Sequence, residues 1–66
     1  MTRQDATKLA KAAIESVTVG NPESVADTTV LFLNADGTYS VTDNGDDFIA
    51  KTKAQAIEFI VENLTA

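Results

Sequence analysis

The sequence predicts a two-layer α+β domain of order α-β-β-(β)-α, with two helices on one face of an antiparallel sheet. Apolar residues recur at helical spacing near both ends of the chain, while the middle holds β-type segments separated by turn signals. With 66 residues, the chain fits one domain, residues 1–66, with a thin core.

The first helix is expected from about Arg3 to Val17. Thr2 and Asp5 have the spacing of a capping box, with Asp as a short substitute for Glu. Ala6, Leu9, Ala10, Ala13, Ile14 and Val17 fall on one face, and Lys8, Lys11 and Glu15 on the other. Gly20 suits a left-handed C-terminal cap, and Pro22 blocks continuation. Residues 20–27 read as a loop, with Asn21-Pro22-Glu23-Ser24 able to start a single helical turn.

Thr29-Val30-Leu31-Phe32-Leu33 is rich in β-branched and apolar residues. A continuous apolar run marks a central strand covered on both faces, or one with a face reserved for a partner. Asn34-Ala35-Asp36-Gly37 is a turn signal. Thr38–Thr42 then alternates, which puts Tyr39 and Val41 on one face. Asn44-Gly45 is a preferred hairpin pair, and 48–51 makes a short third strand. Thr52-Lys53-Ala54-Gln55 is a capping box opening a second helix over 53–64, with Ile57, Ile60, Val61 and Leu64 as its stripe. The expected core is Leu9, Ala13, Ile14, Val17, Leu31, Leu33, Tyr39, Val41 and the second helix's stripe. Leu31 and Leu33 are chosen over Val30 and Phe32, a choice that a one-residue register shift would reverse. Phe59 lies off the stripe. It either covers the sheet edge or the groove between the helices, or serves as an aromatic anchor for a partner or a second copy of the chain.

Composition excludes most chemistry. The chain has no Cys and no His, so disulfides, Cys-based zinc sites and His-activated nucleophiles are ruled out. A carboxylate pair needs a cleft to perturb its acidity, and so small a domain offers little, so no enzyme activity and no cofactor are expected. Asp43-Asn44-Gly45-Asp46-Asp47 crowds oxygen ligands, but the twelfth residue counted from Asp43 is Ala54, not the Glu that a calcium loop requires. The three glycines are isolated and form no phosphate loop. No apolar run approaches the roughly 20 residues of a membrane span, and the N-terminus lacks a signal-peptide core. A cytoplasmic location, in a bacterium or a phage's host, is the expectation.

Charge is the strongest functional signal. The net charge is −5, and residues 12–50 carry seven acids and no base. Asp36, Asp43, Asp46 and Asp47 fall at the two turns, with Glu23 and Asp27 in the loop before the first strand. Asp27, Asp43, Asp46 and Asp47 should cluster at one end of the sheet, and Asp36 at the other. Turn chemistry and solubility account for these residues in one reading. In the other they recognise a basic protein surface, as a polyanion mimic would. The expected partner is a basic macromolecular protein; nucleic acid is not expected, because phosphate binding needs clustered Lys and Arg.

Three resemblances bear on this. The α-β-β-β-α order, with Lys51 and Lys53 at the start of the last helix, is similar to that of double-stranded-RNA-binding domains, but the acidity opposes that function. In size, acidity and lack of catalytic residues the chain resembles small acidic phage inhibitors of host defence nucleases. The opening Met1-Thr2-Arg3-Gln4, the Ala-rich first helix and the helix-hairpin-helix order resemble the head-to-tail joining proteins of lambda-like phages. That likeness implies a virion connector bound at the capsid portal. The chain departs from it in its longer 18–28 loop, its acidic centre and its end directly after the second helix. The leading expectation is therefore a non-enzymatic interaction domain of the phage-inhibitor type, with a virion connector as the alternative.

Overall fold

A computed structural model describes residues 1–66. Two helices, α1 (Arg3–Ser16) and α2 (Lys53–Thr65), enclose four strands in sequence: β1 (Glu23–Ala26), β2 (Thr29–Leu33), β3 (Tyr39–Asp43) and β4 (Asp46–Ala50). The strands form one antiparallel sheet in the order β1-β2-β3-β4. Both helices pack on the same face, α1 against β1 and α2 against β3 and β4, and the helices also pack on each other.

Capping begins both helices as the sequence predicts. The Thr2 hydroxyl accepts the Asp5 N–H at 3.1 Å, and the Thr52 hydroxyl accepts the Gln55 N–H at 3.1 Å. The Gln55 side chain reaches back past the cap to accept the Lys51 N–H at 2.9 Å. The end of α1 differs from expectation. Val17 is extended, and Gly20, with φ +88°, is not the helix cap but part of a tight turn joining Thr18 to Asn21.

Residues 23–26 are a strand, not loop or helical turn. Glu23 pairs with Leu31, Ser24 with Val30 and Ala26 with Thr29, and the irregularity between Ser24 and Ala26 bulges the strand at Val25. β1 is an edge strand, so Pro22 can precede it without breaking a ladder. β3 is displaced one residue from the expected 38–42, and the last strand runs 46–50 rather than 48–51. The cause is the Asn44–Gly45 turn. Both residues have positive φ, 51° and 86°, which sets a two-residue hairpin and pairs Asp43 with Asp46. Asp46 and Asp47 thus enter the sheet despite their poor strand propensity.

The core follows from alternation. Leu31, Tyr39, Val41 and Ala50 face the helices and are buried, with Leu33 half-buried beside them. From the helices come Ala6, Ala10, Ala13, Ile14 and Val17, then Ala56, Ile60 and Val61. Four alanines in this layer let the two helices lie close together. Leu9, expected in the core, is 40% exposed, because it lies at the margin of the stripe that Ala6, Ala10 and Ala13 bury. Ile57 and Leu64 are half-buried against the core rather than fully inside it. Val25 belongs to the core because it alternates with Ser24 and so shares a face with Glu23, whose partner Leu31 faces the helices.

Candidate functional site

Antiparallel connection places the β1–β2 and β3–β4 turns at the same end of the sheet and the β2–β3 turn at the other. Asp27, Asp43 and Asp46 therefore share one end, with Asp47 one residue further along β4. The Asn44 N–H donates to the Thr28 carbonyl at 3.4 Å and ties the two turns together. Glu23 is not at this end. It opens β1 and pairs with Leu31, mid-sheet.

The four aspartates are not equivalent. Asp43 is half-buried, and its Oδ1 accepts the hydroxyls of Thr28 at 3.1 Å and Thr29 at 3.0 Å, linking β2 to β3. Thr29 is 1% exposed, so this carboxylate satisfies a buried hydroxyl. Asp47 accepts the Thr42 hydroxyl at 2.6 Å across the hairpin and remains exposed. Asp27 and Asp46 are both exposed, and each leaves a carboxylate for a partner.

Asp36 lies at the far end, and its turn uses it. Its Oδ1 accepts the Thr38 hydroxyl at 2.7 Å and the Thr38 N–H at 3.0 Å. These bonds, the hydroxyl first, hold its carboxyl below the ordinary value of 3.8. A lowered folded value means that its contribution to stability is full above pH 3.8 and is lost as pH falls through the folded value. In a carbon-detected NMR titration the Asp36 midpoint should fall below 3.8, and Thr38→Val should move it back toward 3.8.

Phe59 covers β4. Its ring stacks on Phe48 with centroids 5.2 Å apart and planes at 26°. The residue off the apolar stripe is thus the one that reaches the sheet's edge strand. Beside this pair a shallow groove of about 520 Å³ is lined by Ile49, Lys51, Ala54, Gln55, Glu58 and Phe59.

The sheet face away from the helices is uncovered. By alternation it carries Val30, Phe32, Ser40, Thr42, Asp47 and Ile49. Phe32 is 37% exposed and Ile49 60%, whereas Leu31 is fully buried. This is the physical sense of the continuous apolar run in β2: one half of it is core and the other half is surface. Ile49 had no such signal, because a lone Ile in a short strand reads equally as core.

No group of three or more acidic, His or Cys side chains is placed to hold a metal ion. No helix is long and apolar enough to cross a membrane. No known family, curated protein or solved structure matches the chain.

Proposed function

We propose that the protein is a non-enzymatic interaction domain that docks on a basic surface of a partner protein, most concretely as a phage-type inhibitor that presents carboxylates in place of a polyanion. The observation that carries this reading is the gathering of Asp27, Asp43, Asp46 and Asp47 at one sheet end, in a stretch of chain without a base. Asp43 is committed to Thr28 and Thr29, so Asp27 and Asp46 supply the free charge, with Asp47 on the adjoining open face. On that open face Val30 lies beside the acidic end, with Phe32 two residues further along β2 toward the opposite turn, and both offer apolar contact.

Capture from host lysate at two salt concentrations tests the reading. Attraction between exposed charges is screened over about 10 Å at 0.1 M salt, so a partner held this way should be released at high salt. An Asp27→Lys/Asp46→Lys variant should lose the partner at low salt while keeping its circular dichroism spectrum, since rim charges act mainly on association. Equal capture by variant and parent at low salt would show that the acidic end serves solubility, and would move attention to Phe59 and the open face. Co-purification with capsid particles, insensitive to this variant, would instead favour the connector reading that the opening tetrapeptide supports.

A further inference from the structure

β4 is an edge strand with nothing alongside it. Its backbone polarity can be worked out from the hairpin. Asp43 and Asp46 flank a two-residue turn, so they are the hydrogen-bonded pair that closes it. Bonded and non-bonded pairs alternate along an antiparallel ladder. Val41–Phe48 and Tyr39–Ala50 are therefore bonded pairs, while Thr42–Asp47 and Ser40–Ile49 are not. Asp47 and Ile49 point their N–H and C=O groups away from β3, at the free edge. The same two residues, with Lys51 beyond them, fall on the open face by alternation.

Such an edge is a template for another strand unless something blunts it. β1, the other edge, is four residues long and bulged at Val25, directly after Pro22. β4 contains no bulge, Pro or Lys, and Ile49, its fourth residue, stands 60% exposed. Charge also runs along it in a definite sense, with Asp46 and Asp47 at its start and Lys51 and Lys53 just past its end. A strand with that polarity is complementary to its own antiparallel copy.

We propose that a second copy of this chain pairs with the first, β4 to β4 and antiparallel, about a two-fold axis at Ile49, making a continuous eight-stranded sheet. In this register the two Ile49 residues exchange N–H···O=C bonds, and their side chains meet on the open face. Each Asp47 lies directly opposite the second copy's Lys51, so the contact is an ionic, apolar, ionic row that reads the same from either side. An axis at Phe48 would set Asp47 against Ile49 and leave Lys51 facing Gly45, so charge selects the first register. The helix layer accommodates it. α2 lies over β3 and β4, and strand spacings of about 4.8 Å put the two α2 helices about 10 Å apart across the axis, a normal packing distance. Phe48 then lies opposite the second copy's Ala50, at the groove lined by Ala54 and Gln55. Glu58, in the same groove, is the like charge that this arrangement brings toward its own counterpart.

Sedimentation equilibrium of the full chain at low salt, from about 10 µM to 1 mM, tests the pairing. A monomer–dimer equilibrium is expected. Asp47→Lys and Lys51→Asp should each weaken it about tenfold, because each sets two like charges face to face. Combining them exchanges the charges and should restore the parent's affinity to within about threefold. Ile49→Pro should abolish the dimer and keep the parent's circular dichroism, since the N–H it removes is unused inside the monomer. Glu58→Gln should tighten the dimer. A chain that stays monomeric to 1 mM overturns the proposal, as does a charge exchange that fails to restore what its single variants lost. Lys51→Asp, Ile49→Pro and Glu58→Gln leave all four aspartates of the acidic end untouched, so their effect on the dimer and the lysate capture stand or fall separately.

Discussion

Leu31→Ala should lower the stability of this domain by about 2–5 kcal/mol, the usual cost of truncating a fully buried Leu. Leu31 has no exposed surface and sits in an interior strand at the centre of the core, paired with Glu23 on one side and Val41 on the other. A chain of this length has about 3–10 kcal/mol in hand, so much of the population could unfold at room temperature. Thermal melts by circular dichroism should show a midpoint lower by at least about 8 °C, given about 4–8 °C per kcal/mol for a domain this small. Phe32→Ala is the control. Phe32 is the larger side chain and the next residue in the same strand, but it faces the open side, so its loss should shift the midpoint far less. The reverse order of effects would mean that the helices lie on the opposite face of the sheet.

The second large effect is expected at Asp43. Asp43→Ala removes the acceptor of both Thr28 and Thr29, and the Thr29 hydroxyl has almost no access to water to replace it. An unsatisfied buried hydroxyl costs about 1–3 kcal/mol. Asp46→Ala, three residues away and exposed, should stay within about 0.5 kcal/mol of the parent. Chemical denaturation of the two variants separates the carboxylate that builds the acidic end from one that only charges it. In a Thr29→Val background the Asp43→Ala penalty should shrink, because the buried hydroxyl is then absent as well. An undiminished penalty would place the effect on Thr28 or on the turn instead.

Both helices, strand β2 and the choice of Leu31 over Phe32 are legible because each rests on local periodicity. Helical spacing from Ala6 to Val17 and from Ile57 to Leu64, with Thr at both caps, needs no distant contact to be read. β1 was not legible. Asn21-Pro22-Glu23 carries helix-start chemistry, and the strand exists only because β2 offers a free edge beside it. The same holds for Asp46 and Asp47, which sit in β4 because a type I′ turn imposes their register on them. Of the candidate site residues, Asp27, Asp43, Asp46 and Asp36 occupy the ends that hairpin connectivity assigns, whereas Glu23, expected in a loop, opens β1 opposite Leu31 and away from the acidic end.

Composition and order by themselves determined the α+β class, the lack of His and Cys chemistry, and an acidic middle. These depend on which residues are present and how they repeat. Three things depended on tertiary structure: the alanine-lined contact between the helices that leaves Leu9 in solvent, the capture of Asp43 by a buried Thr29, and the free β4 edge beside Phe48 and Phe59. Each is decided by which elements lie side by side. That pairing is a balance of burial against exposure over the whole chain, and no local window of sequence contains it.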